Sequence, residues 1–175
     1  MDPSGSERAQ AFATIFEANY GRLRAYAARR VGADAADDVA AETMMIAWRR
    51  GDALPAEPLP WLYGIARNLV ARQHHSAARR RSLHRSLEFE RAGPVEEPAG
   101  DPALATAWAA LRRRDREVLA LIAWEELSVH EAAIAMGVSA PVFSVRLHRA
   151  RRRFEAQLGH AAPAPHPVPE PTEAS

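Results

Sequence analysis

The chain contains no cysteine and no lysine, and runs of Val, Ile and Thr are scarce. Without cysteine there is neither a disulfide framework nor a thiolate metal site. Without lysine, all 23 basic residues are arginine; beside so much Ala and Pro, this follows the codon bias of a GC-rich genome. No apolar run approaches the roughly 20 residues that span a bilayer. The segment Met1 to Gln10 is polar and carries acids, unlike a signal peptide. A cytoplasmic protein without membrane insertion is therefore expected. Catalytic signatures are missing too: there is no G-x-x-x-x-G-K-[ST] loop, no H-E-x-x-H and no G-x-S-x-G. His74 and His75 are adjacent, so on a helix they point about 100° apart and do not chelate together as i, i+4 pairs do. No enzyme, metal or cofactor is expected.

What is present is a helical composition. Of 175 residues, 47% are hydrophobic and 26% charged, with alanine abundant, which favours packed helices over sheet. The 23 arginines against 22 acids leave a formal charge of +1, yet the charge is segregated. Residues 76–87 carry four arginines and no acid, residues 88–102 five acids and one arginine, and residues 128–155 a net +3. Two basic patches flanking an acidic segment thus hide inside a neutral total.

Periodicity places the elements. Phe12, Phe16, Leu23, Ala27 and Val31 fall on helical spacing, and Gly32 supplies a stop. A second helix is expected to start with Asp34 as its cap and run to Arg50, burying Val39, Thr43, Ile46 and Ala47. After the loop GDALPAEPLP, a third opens at Pro60 and buries Leu62, Ile65, Ala66 and Leu69. Further helices are expected over Ala103 to Leu111 and Asp115 to about Glu126. Ser128 and Glu131 form an S-x-x-E capping box for the short helix VHEAAIAM, which Gly137 ends. Ser139 caps the last helix, with Pro141 in its first turn. Two short helices joined by a tight turn, the second one basic, form the helix-turn-helix signature. On that second helix Phe143, Leu147, Ala150 and Phe154 make one apolar stripe, while Val145, His148, Arg149 and Arg152 lie opposite, flanked by Arg153.

The expected fold is all-α: two small helical domains joined by a flexible linker, the C-terminal one a helix-turn-helix. Residues 1–84 form the first domain. Residues 85–102, rich in proline and acid, are read as a flexible acidic linker. Residues 103–158 form the DNA-binding domain, and residues 159–175, with five prolines at alternate positions, a disordered tail.

Three strings together resemble bacterial RNA polymerase sigma factors of the extracytoplasmic-function type. YGRLRAYAARRVGADAADDVAAETMMIAWRR looks like that family's first two helices. PWLYGIARNLVARQHHSAARR looks like its promoter-melting helix, typically W-L-x-x-I-A-x-N, and LRRRDREVLALIAWEELSVHEAAIAMGVSAPVFSVRLHRARRRF looks like its helix-turn-helix. The resemblance covers about residues 9–158.

It implies roles that the side-chain chemistry suits. Asp38, Glu42, Met45 and Arg49 occupy one face of the second helix; two carboxylates beside a methionine suit a basic coiled coil, and in the family this face meets the clamp helices of the largest subunit of core RNA polymerase. Ala41 departs from the glutamine often found there. Trp61, Ile65, Asn68 and Arg72 share an edge of the third helix, where an aromatic, an amide and a guanidinium suit a single-stranded base. The resemblance implies melting and recognition of the minus-ten element there, with Arg79 and Arg80 following toward duplex phosphates. Ser144, Val145, His148, Arg149 and Arg152 correspond to the face that meets the minus-thirty-five element. Ser144 stands where many relatives are basic, and Val145 where they have a small polar residue. Core RNA polymerase and promoter DNA are the implied partners, and an anti-sigma factor is the usual further partner in the family. A different reading, a helix-turn-helix transcriptional regulator with an N-terminal helical sensor domain, accounts for the C-terminus but not for the W-L-x-x-I-A-R-N string.

Overall fold

The computed structural model describes residues 3–82 and 101–161. Most of the expected linker and the tail beyond residue 161 lie outside the described residues, as do the side chains of Arg79 and Arg80, which fall within the third helix. The described residues form seven α-helices, one short 3-10 turn and no strand.

Helix α1 (Pro3–Val31) stops at Gly32, whose φ of +84° lies in the region that favours glycine. Its inner stripe is Ile15, Asn19, Leu23, Tyr26, Ala27 and Arg30. Phe16, expected on that stripe, instead lies at its solvent edge, 39% exposed and stacked on Tyr20 at 4.7 Å; Ile15, one position earlier, faces inward. Helix α2 (Ala33–Arg50) has Gly32 at its N-cap position, so Asp34 is not the cap. It stands in the first turn, where a carboxylate favours the positive end of the helix. Val39, Thr43, Met44 and Ala47 are buried, and the Thr43 hydroxyl donates to the Val39 carbonyl at 2.7 Å, so no polar group is stranded. Gly51, at φ +61°, closes α2. Helix α3 (Leu59–Ser82) has Pro60 in its first turn and buries Leu62, Tyr63, Ala66, Leu69 and Val70.

In the C-terminal region α4 (Pro102–Ala110) is capped by Asp101, whose carboxylate accepts from the Ala103 amide at 2.8 Å. The cap thus belongs to a residue expected in the linker. Helix α5 (Arg113–Ala123) ends three residues sooner than expected, and Glu126 then takes the left-handed conformation at φ +56°. Helix α6 (Val129–Met136) has the full capping box: the Glu131 amide donates to Ser128 Oγ and the Ser128 amide to Glu131 Oε2. Those hydrogen bonds hold the Glu131 carboxyl below its ordinary pKa. Gly137, left-handed at φ +64°, ends it. Helix α7 (Ala140–Ala161) follows, the Ser139 carbonyl accepting from the Phe143 amide. It runs past residue 158 into what was expected to be tail.

The two regions pack against each other. One apolar cluster takes Leu23, Val39 and Leu62 from α1–α3 together with Val118, Ala132 and Phe143 from α5–α7. Helix α6 lies on α3, close enough that a Cβ on Gly64 would sit 3.4 Å from the Ala135 carbonyl oxygen. A smaller cluster of Trp108, Leu111, Ala120, Trp124 and Phe154 fixes α4 to α5 and α7.

Candidate nucleic-acid interface

Helix α7 divides as its sequence pattern requires. Phe143 and Ala150 are fully buried and Leu147 nearly so, anchored further by Phe154 edge-on to Trp108. Ser144, Val145, His148, Arg149 and Arg152 are all exposed on the other side. Arg153 is committed elsewhere: its guanidinium donates to Asp115 Oδ1 at 2.8 Å, tying α7 to the first turn of α5. Among the expected contact residues Arg149 and Arg152 therefore stand free on the outward face beside His148, while Arg153 ties the helix to the rest of the domain.

On α3 the four expected residues do lie along one edge, at two depths. Trp61 and Ile65 are half-buried against the core, whereas Asn68 and Arg72 are exposed. Trp61 is held from outside as well, since the Arg50 guanidinium lies 5.2 Å from its ring centroid. The edge thus has an aromatic floor with an amide and a guanidinium standing beyond it.

On α2, Asp38, Glu42, Met45 and Arg49 are all exposed, Met45 at 52%. Trp48, also 41% exposed, extends the apolar part of this surface, and Phe12 meets its ring edge-on at 5.1 Å. Glu42 accepts from Arg72 at 3.5 Å. The carboxylate face of α2 and the α3 edge are therefore neighbours on one continuous surface.

Sequence reasoning missed a further group, the ionic seam between the regions. Arg30 of α1 is 2% exposed, yet its Nε donates to Glu117 Oε2 at 2.9 Å and its Nη1 to Glu125 Oε1 at 3.0 Å. It also lies 3.5 Å over the Tyr26 ring, whose hydroxyl donates to Glu117 at 3.0 Å. Arg29 pairs with Glu125 as well, and Arg22 donates to the Glu125 carbonyl. Burial first, then the Glu117 charge, raises the Tyr26 phenol well above its ordinary pKa. Burial alone pulls the Arg30 guanidinium down; Tyr26, Glu117 and Glu125 more than offset it, and the net shift is upward. These partners are 87 to 103 positions apart in the chain, so no local pattern announces them.

Two sigma-factor domain families match these same two regions: Sigma-70 region 2 over residues 15–81, within α1–α3, and Sigma-70 region 4 over residues 102–154, spanning α4 and most of α7. The RNA polymerase sigma factor NccH of Alcaligenes xylosoxydans xylosoxydans is 31% identical over 153 residues, covering 79% of this chain and 82% of NccH. The chain belongs to the extracytoplasmic-function RNA polymerase sigma factors. Among solved structures, the sigma factor is similar to RpoE of Bartonella quintana, crystallised with the anti-sigma factor NepR. The TM-score is 0.61 at 26% identity, covering 86% of this chain and 98% of RpoE. It is also similar to CnrH, solved with the cytosolic domain of CnrY, with a TM-score of 0.60 at 25% identity, covering 90% of this chain and 93% of CnrH. Among the sigma factor's described residues no helix is long and apolar enough to cross a membrane, and no three His, Cys, Asp or Glu residues gather to hold a metal.

Proposed function

We propose that this sigma factor carries core RNA polymerase to promoters through three sets of residues, two of them on adjoining patches. Asp38, Glu42, Met45 and Arg49 of α2 dock the polymerase clamp helices. Trp61, Ile65, Asn68 and Arg72, with Arg79 and Arg80 following, open and hold the minus-ten element. Ser144, Val145, His148, Arg149 and Arg152 enter the major groove at the minus-thirty-five element. Bond-forming chemistry stays with the polymerase, and the protein works in the cytoplasm without a cofactor. Residues 1–84 and 103–158 act as the two working domains, residues 85–102 as the acidic connection and residues 159–175 as a tail.

The observation that carries this reading is the α3 edge. An exposed amide and guanidinium beside an aromatic floor form a second nucleic-acid surface, separate from the helix-turn-helix, which a one-site DNA-binding regulator does not need. Stacking on such a floor is worth roughly 1–3 kcal/mol per base. The contiguity of Glu42 and Arg72 adds to it, because polymerase docking and strand opening then occur on adjoining patches.

Engaging both promoter elements requires the two regions to part. Helix α6 touches both α3 and α7, and packed helices lie about 8–10 Å apart, so α7 sits within roughly 20 Å of α3. Promoter elements two helical turns apart are separated by about 70 Å of DNA. The packing seen here is therefore a closed form, and polymerase binding supplies the free energy that opens it. In the idle cell an anti-sigma factor holds the protein, as the complexes of RpoE and CnrH suggest by similarity.

Run-off transcription with bacterial core polymerase and the promoter of the protein's own gene tests the proposal. Promoter-dependent transcripts and copurifying polymerase subunits are expected. Failure to associate with core polymerase would leave only the regulator reading.

A further inference from the structure

We propose that Val145, supported by Val142, reads the 5-methyl group of a thymine in the upstream promoter element. The inference rests on α7 being the recognition helix, and it names what that helix recognises.

Val145 is 50% exposed and Val142 43%. Neither is needed to seat the helix, because Phe143, Leu147 and Ala150 on the opposite side do that. Val145 instead lies at the middle of the outward face, in line with Arg149 and Arg152 at i+4 and i+7. Guanidiniums on the same line suit this face to DNA, where they can meet phosphates or a guanine edge. The N-terminal turns of a recognition helix are the part that meets base edges, and Val142 and Val145 stand in those turns.

Valine has no donor or acceptor, so it contributes nothing to the hydrogen-bond code of the groove. Of the groups that unmodified bases present in the major groove, the thymine methyl is the apolar one. An isopropyl group at the centre of the face therefore selects thymine by contact with that methyl. The helix rises about 6 Å from Val145 to Arg149, and bases on one strand are about 3.4 Å apart. The base addressed by Arg149 then lies within about two steps of the thymine.

The test uses holoenzyme assembled from the full chain and bacterial core polymerase. Promoter duplexes randomised across the upstream element are selected by binding, and each selected thymine is then replaced singly by deoxyuridine, which deletes only the methyl. One such replacement should weaken wild-type binding about fourfold, the worth of one buried methyl-sized group. Val145→Ser should bind the thymine and uracil duplexes alike, while Val145→Thr, which keeps one methyl, should keep part of the preference. If wild type binds every uracil duplex as tightly as its parent, or if Val145→Ser retains the full preference, the proposal is overturned. It is also overturned if Val145→Ser changes holoenzyme assembly instead of the thymine-to-uracil ratio, since the patch would then belong to a protein partner. Selection that enriches no upstream sequence at all would fail earlier, by removing the recognition role of α7 itself.

Discussion

Replacing Glu125 with Gln should open the protein without unfolding its helices. Glu125 is 2% exposed, and its carboxylate is shared by Arg29 and Arg30. With it gone, Glu117 still pairs with Arg30 but Arg29 has lost its carboxylate. Two guanidiniums then share the seam with one acid, while Arg30 remains almost wholly out of water. Removing one partner of a buried ion pair costs about 3–5 kcal/mol, because the charge left behind is uncompensated. Here the chain has an escape: parting the two regions returns Arg30 to solvent. The loss should therefore appear as a shift from closed to open of roughly a hundred- to several-thousand-fold. Because the chain has no cysteine of its own, Glu17→Cys and Ala156→Cys, both at exposed positions, accept a donor and an acceptor dye at defined sites on α1 and α7. Energy transfer should fall in the Glu125→Gln background while far-ultraviolet circular dichroism stays unchanged. Asp37→Ala is the matched control. It removes the Arg24 ion pair, whose side chains are 48% and 55% exposed, and such pairs are worth about 0–1 kcal/mol. If Glu125→Gln transfers energy as efficiently as Asp37→Ala, the ionic seam does not hold the regions together. If helicity collapses instead, the two regions do not stand apart as folded units, and the reasoning fails at an earlier step.

Other outcomes follow from the surfaces described above. Asp38→Arg with Glu42→Arg should abolish core polymerase association in a pull-down at unchanged melting temperature, since both side chains are exposed and the Glu42–Arg72 pair contributes little to stability. Asn68→Ala should impair open-complex formation on duplex promoters more than on pre-melted templates, and equal loss on both would refute a melting role. Arg149→Ala should weaken upstream-element binding by about 1–3 kcal/mol if it makes a bidentate guanine contact, as read by gel shift of the holoenzyme. Ser128→Ala should lower the melting temperature by about 2–4 °C, since an N-cap is worth about 1 kcal/mol. The Glu131 pKa lies below its ordinary value of 4.5 in the folded protein. Its contribution is thus complete above that value and disappears as pH falls through the lower folded pKa, so the Ser128→Ala deficit should shrink in acid.

What was legible in the sequence was local chemistry. Ser128, Glu131 and Gly137 bound α6 because caps and left-handed glycines act over three or four residues. The stripe Phe143, Leu147, Ala150 follows from helical period alone, and it exposes the opposite face without further assumption. Period was less reliable where two neighbouring apolar residues compete for one inward direction, as with Ile15 and Phe16. Arg30 was out of reach altogether. An arginine near a helix C-terminus reads as a solvated residue complementing the dipole, and only the arrival of Glu117 and Glu125 from another region makes it a core residue. Arg153 does flank the outward face, but its pairing with Asp115 was out of reach for the same reason, since the two lie 38 positions apart. The α3 edge was legible as a set of residues, but the difference in depth between Trp61 and Asn68 came from what packs behind it.

Gly64 gives the closed joint a size limit. A methyl group there would meet the Ala135 carbonyl at ordinary contact distance, so alanine fits and each larger side chain must push α6 outward. Side-chain volume at this one position becomes a graded dial on how readily the protein springs open. Alanine, valine and leucine at Gly64 would mark successive settings, with every residue that touches DNA or polymerase left as it is.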